Sequence, residues 1–191
     1  ELPSVEVHLH KIIPYGAGLG GGSADAAFML VGLNRLFSLG LNEEQLMGYA
    51  ARLGSDCPFF VRNHPVFAFG KGELMEAIDL SLKDYVMVLV KPDRGVSTPE
   101  AYRGITPRAA SFDLRELGKL PVCEWNGVVV NDFETSVIPK VPEIQEIKDT
   151  LNALGAVYVS MTGSGSAVYG LFDRSVEVGE TFPGYFVWKS K

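Results

Sequence analysis

The chain has 191 residues, room for one large domain or two small ones around a buried core. Apolar residues make up 47% and charged residues 21%, a balance that excludes a disordered chain. The formal net charge of −6 argues against nucleic acid as a partner but not against a nucleotide, whose phosphates backbone N–H groups can hold on an acidic protein.

Residues 5–13, VEVHLHKII, alternate apolar and polar positions and then turn apolar, which predicts a strand delivered into a glycine-rich loop. The loop spans about residues 14–22, and Ser23 falls where a helix N-cap belongs. Ala27, Leu30, Val31, Leu33, Leu36 and Phe37 then recur at helical spacing up to residue 39, with Gly40 as the C′ residue. A second helix follows, opened by Asn42 with Gln45 three residues later, a capping box, and closed by Gly54. Residues 55–58, SDCP, read as a tight turn with FFV behind them. Residues 66–69 and 74–78 read as two strands joined through GKGE, a hairpin.

Residues 85–91, YVMVLVK, read as a buried strand, and a domain boundary is expected near residues 81–84. This divides the chain into residues 1–84 and 85–191. Thr98 and Pro99 predict a helix start, with Thr98 as cap and Pro99 at the first helical position. Residues 130–134 lead into a short helix, and residues 142–154 form an amphipathic helix ended by Gly155. Strands are expected at 156–161, 168–172 and 185–189, the first two joined by a second glycine-rich turn, TGSGSA, at residues 162–167.

Cys57 and Cys123 form no CxxC pair, and His8, His10 and His64 show no ligand spacing. Neither a zinc site nor a disulfide framework is expected, Cys57 reads as a small buried residue, and a reducing cytoplasm fits best. The sequence shows no apolar run long enough to cross a bilayer and no secretory signal, so no membrane partner is expected. Nothing in it sets an oligomeric state.

The loop carries the chemistry. Its glycines let successive N–H groups turn toward one anion, and the following helix adds its positive end. That combination suits the β- and γ-phosphates of a nucleotide, with Ser23 able to offer a hydroxyl to phosphate or Mg²⁺. Gly16, Gly18 and Gly21 formally match the dinucleotide fingerprint GxGxxG, but a helix follows the first helix where that fingerprint needs a second strand. A Walker loop needs Gly-Lys-Ser/Thr, and Gly22 precedes Ser23 with no Lys. The remaining bland reading is a closely packed turn, as most isolated GxGxxG matches are.

Residues 14–27, PYGAGLGGGSADAA, resemble the central ATP-binding motif of the GHMP kinases, the superfamily of galactokinase, homoserine kinase and mevalonate kinase. The GLGGGSxxAA form is most similar to the branch that phosphorylates a cytidine-linked alcohol in non-mevalonate isoprenoid synthesis. Further segments agree in order and spacing: LGSDCPFF at 53–60, GKGE at 70–73, NDFE at 131–134 and TGSGSA at 162–167. The resemblance runs nearly from end to end. It implies an α+β fold, with an incomplete N-terminal domain of the ribosomal-protein-S5 type and a ferredoxin-like C-terminal domain. It also implies ATP and Mg²⁺ as cofactors and a small-molecule alcohol as substrate. The ATP-contacting residues would be Pro14, Gly16, Ala17, Gly18, Leu19, Gly20, Gly21, Gly22 and Ser23.

Phosphoryl transfer to an alcohol needs the hydroxyl in line with the γ-phosphate and a group to accept its proton. On residues alone Asp56 reads as an N-cap or Asx-turn residue. The resemblance makes it the general base. Thr98, Pro99 and Tyr102 match the segment that sets an aromatic ring beside the cytosine, although a core Tyr on a helix reads equally well. Gly163, Ser164 and Gly165 match the third family motif, which shapes the substrate site. Lys91 and Arg94 read as surface charges near that segment. No residue ahead of residue 5 matches the family's first motif and its Lys, and Lys11 does not match it either, so the chain is expected to be a piece without that segment. Another acceptor alcohol or acid, or a non-catalytic nucleotide-binding protein on the same fold, are the competing readings.

Overall fold

The computed structural model describes residues 2–106 and 110–190. The chain divides into two compact units, Glu1–Tyr15 with Gly20–Ile78, and Gly16–Leu19 with Asp79–Lys191. The glycine-rich loop therefore contributes to both.

The first unit holds three helices, α1 (Gly21–Leu36), α2 (Glu43–Leu53) and α3 (Cys57–Arg62), and a hairpin of β1 (Val66–Phe69) and β2 (Leu74–Ala77). The helices pack on one another through Ala27, Leu46, Ala50, Cys57 and Pro58, all buried. The capping box forms in both directions: the Asn42 side chain accepts from the Gln45 amide at 2.9 Å, and the Gln45 side chain accepts from the Asn42 amide at 3.0 Å. The hairpin pairs Val66 with Ala77 and Phe69 with Leu74. Its turn is closed by the Glu73 carboxylate, which accepts the Lys71 amide at 2.6 Å.

Four local expectations are corrected here. Residues 5–13 form no strand, because alternation needs a neighbouring ladder and none lies beside them among the described residues. Ser23 is not the N-cap of α1. Gly20 takes that place with φ +64, a left-handed turn open to glycine, and Ser23 sits at the third helical position. The helix also stops at Leu36 rather than residue 39, because the Asn34 side chain folds the chain back. It donates to the Leu41 carbonyl at 2.9 Å and accepts the Leu41 amide at 3.1 Å. Residues 57–62, read as the end of a turn and an apolar run, are helical, with Pro58 in the first turn where its missing N–H costs nothing.

The second unit is built on a four-stranded antiparallel sheet. Its strands are β3 (Val86–Lys91), β4 (Tyr158–Met161), β5 (Val168–Phe172) and β6 (Phe186–Lys189), in the order β4-β5-β3-β6. Side-chain alternation sends Val88, Val90, Val159, Met161, Val168 and Phe172 to one face. There they pack with Val137 of α5 (Glu134–Val137) and with Ile144, Ile147 and Leu151 of α6 (Glu143–Ala153). Tyr158 and Leu171 point to the other face, where Leu117 and Val122 of two short 3₁₀ segments, and Trp125 just after the second, cover them. Both faces of the sheet are thus protected, as the α+β reading requires. One cap is corrected: α4 (Thr98–Arg103) is capped by Ser97, whose hydroxyl accepts the Glu100 amide at 3.3 Å, so Thr98 is the first helical residue and Pro99 the second.

Candidate active site

In the first unit, α1 begins with the amides of Gly21, Gly22 and Ser23 and no side chain caps it. Three consecutive N–H groups at the end of a 16-residue helix thus face outward with the helix dipole behind them. Gly22 has open space where a Cβ would stand, so a ligand can reach the backbone there. Gly20 is different: a Cβ would lie 2.8 Å from the Phe60 ring, and its φ of +64 strains any other residue besides. Phe60, edge-on to Phe59 at 5.0 Å, therefore braces the entry to the helix. Pro14 is half-buried and the neighbouring Tyr15 is 93% exposed. The Lys11 ammonium pairs with the Asp25 carboxylate on the first turns of α1.

Asp56 precedes α3 but does not cap it. Its backbone is already helical, and its exposed carboxylate accepts only the neighbouring Ser55 hydroxyl at 3.3 Å among the hydrogen bonds described. The hairpin turn approaches it, since a Cβ on Gly72 would lie 3.2 Å from the Asp56 Oδ1. An Asp used as an ordinary cap would have its oxygens occupied by the helix amides; this one keeps them for another partner. Beside it in the same turn, hydrogen bonds from the Glu73 and Lys71 amides hold the Glu73 carboxyl below the usual carboxylate range, fixing it as an anion.

In the second unit, Ala17 and Gly18 of the loop dock on the glycine-rich turn after β4. The Thr162 hydroxyl donates to the Gly18 carbonyl at 2.9 Å, and the Ala167 amide donates to the Ala17 carbonyl at 3.1 Å. Ala17 is buried with Leu89 and Ala167, and Leu19 packs against the same cluster. Gly18 has φ +73, and a Cβ there would collide with the Thr162 carbonyl oxygen; a Cβ on Gly163 would lie 2.7 Å from the Gly18 carbonyl oxygen. The two backbones therefore touch only because both positions are glycine. Gly16, by contrast, has open space on its Cβ side.

In the same unit two of the expected acceptor-side residues, Thr98 and Ser164, come close to one another. The Thr98 and Ser164 hydroxyls lie 3.5 Å apart, and Tyr102, 63% exposed, stands edge-on to Phe133 at 4.9 Å. Tyr102 is thus a surface ring with one edge held, not a core residue. Gly165 is buried with φ +86, while Gly163 is exposed. Arg94 is an ion-pair partner of Glu143 and donates to the Lys140 carbonyl at 3.0 Å, so it braces α6. The sequence reading gave the turn 162–167 a supporting role near substrate or the phosphate loop but assigned no individual role to Asn131 or Glu134, although the string NDFE contained them. Among the described residues no group of three or more His, Cys, Asp and Glu could hold a metal, and no helix is long and apolar enough to cross a membrane.

Residues 1–64 match the model of the GHMP kinases N terminal domain, and residues 109–181 that of the GHMP kinases C terminal domain. The chain is 53% identical over its whole length to a 4-diphosphocytidyl-2-C-methyl-D-erythritol kinase of Parabacteroides distasonis, covering 71% of that protein. It is 54% identical to one of Bacteroides thetaiotaomicron over 93% of the chain, which spans 65% of that relative's length. Among solved structures, a crystal structure of 4-(cytidine 5'-diphospho)-2C-methyl-D-erythritol kinase superposes with a TM-score of 0.71 at 34% identity, over 84% of this chain and 59% of that one. A homoserine kinase from Cytophaga hutchinsonii shares the fold, with a TM-score of 0.59 at 18% identity, covering 95% and 68%. The chain belongs to the GHMP kinases, in the family of small-molecule kinases whose relatives are named 4-diphosphocytidyl-2-C-methyl-D-erythritol kinase.

Proposed function

We propose that the protein transfers the γ-phosphate of ATP to the 2-hydroxyl of 4-diphosphocytidyl-2-C-methyl-D-erythritol, in the cytoplasm, as a step of non-mevalonate isoprenoid synthesis. The observation that carries this reading is the uncapped start of α1 after a run of glycines, where Gly21, Gly22 and Ser23 offer three amides to an anion. Residues 14–23 would cradle the phosphates, and the amides would oppose the charge that builds on the transferring group. Asp56 would accept the acceptor hydroxyl's proton, since its carboxylate is not spent on the helix behind it.

Mg²⁺ supplies charge neutralisation between the phosphates when bound. Ser23, the third residue of α1, would turn its hydroxyl to a cation that arrives with the nucleotide. On the acceptor side, Tyr102 would stack on the cytosine, with Thr98, Pro99 and the turn residues Gly163, Ser164 and Gly165 shaping the site around it. The reading is tested by incubating the full-length protein with ATP, Mg²⁺ and either the cytidylyl substrate or homoserine and following ADP release. Turnover confined to the cytidylyl substrate supports it. Preference for another acceptor, or ATP binding without transfer to any acceptor, overturns it.

A further inference from the structure

The NDFE segment is not explained by the reaction as described. Its first and last residues grip the end of β4 from two sides. The Asn131 amide donates to the Met161 carbonyl at 2.7 Å and to the Gly163 carbonyl at 2.9 Å, while its carbonyl oxygen accepts the Phe133 amide at 3.0 Å. With the nitrogen donating and the oxygen accepting, this amide has one orientation that satisfies all three bonds. The Glu134 carboxylate accepts the Met161 amide at 2.8 Å through one oxygen and pairs with Lys148 of α6 through the other. Met161 is thus held at both its N–H and its C=O, and Gly163 at its C=O. Thr162 lies between them.

Thr162 is the residue whose hydroxyl holds the Gly18 carbonyl. Five residues on, Ala167 holds the Ala17 carbonyl, and the Thr162 amide itself donates to the Ala167 carbonyl at 2.9 Å. We infer that Asn131 and Glu134 are positioning residues for the nucleotide loop: they fix the turn at 161–163 so that Thr162 and Ala167 hold Ala17 and Gly18 in one place. Neither touches the loop; both act through Thr162. The inference rests on the loop holding ATP, as proposed above. A displacement of an ångström in a group that positions a reactant costs up to about a hundredfold in rate, so a brace of this kind has a catalytic consequence without contacting substrate. Asn131 also borders a cavity of about 460 Å³ lined with Thr162 and Gly163, so shortening its side chain removes hydrogen bonds without opening a hole in the packed core.

The experiment is a double-mutant cycle in the full-length protein between Asn131→Ala and Thr162→Val, with Thr162→Ser as the conservative variant. Each of the first two is expected to raise KM for ATP about tenfold, the scale of one or two lost hydrogen bonds. Their combination should cost little more than either alone, because both break the same relay. Thr162→Ser, which keeps the hydroxyl, should restore KM. Amide exchange supplies a readout that needs no ATP: in Asn131→Ala the Ala167 amide should exchange about tenfold faster, with the amides of α6 unchanged. Multiplicative effects on KM, or an Ala167 amide as protected as in the parent, overturn the inference. A parent protein without turnover would instead overturn the proposed reaction, and the exchange measurement would still decide the relay.

Discussion

At the scale of single residues, Asp56 and Gly18 carry the sharpest expectations. Asp56→Asn keeps the shape and removes the proposed proton acceptor, so kcat should fall at least ~100-fold with ATP affinity nearly unchanged, in steady-state kinetics set beside ATP titration. Gly18→Ala should abolish ATP binding while the protein stays folded by circular dichroism. The left-handed backbone and the Thr162 carbonyl leave no place for a methyl group. Asp56 shows why a residue's role is hard to read from its neighbours. Before a proline and a short helix, an Asp looks like a cap, and only the coordinates show that its side chain accepts no helix amide. Two tyrosines add a pH dependence. Burial pushes the hydroxyls of Tyr158 and Tyr169 above the ordinary tyrosine value of about 10. The folded state therefore holds these protons more tightly than the unfolded chain does. The stability they contribute is complete below about pH 10 and is lost as pH rises from there. Alkaline unfolding followed by thermal melts should steepen above about pH 10 and flatten in Tyr169→Phe.

Elements were legible where one local interaction decides them. Asn42 and Gln45 announce a capping box in four letters, and the structure forms it; Asn42→Ala should cost about 1 kcal/mol of stability in a denaturant titration. The hairpin was equally plain, since GKGE places glycine where Gly70 and Gly72 take φ +70 and +102. Elements that depend on distant partners were not plain. The alternation in residues 5–13 is real, but a strand needs a ladder. Phe59, Phe60 and Val61 read only as a run behind a tight turn, yet that turn starts a helix of six residues. The helix start at Gly21 was obscured for the opposite reason: Ser23 is the better cap by composition, but the left-handed Gly20 turns the chain sooner.

At the scale of the whole molecule, the class was legible through the resemblance of the motif strings to the GHMP kinases, and the strand order β4-β5-β3-β6 was not legible in the segments themselves, because pairing partners leave no mark on single segments. The same limit hid the relay from Asn131 to Gly18, which joins residues 113 positions apart in the chain through Thr162. The glycine-rich loop was legible as a candidate phosphate site; the hydrogen bonds from Thr162 and Ala167 that hold Ala17 and Gly18 became visible only in the fold. The most direct measurement is phosphate transfer by the full-length protein from ATP to 4-diphosphocytidyl-2-C-methyl-D-erythritol, with the product's new phosphate located by phosphorus NMR. The expected result is a monoester at the 2-hydroxyl, lost in Asp56→Asn. Transfer to a different hydroxyl or a different acceptor, or undiminished transfer in Asp56→Asn, would contradict it.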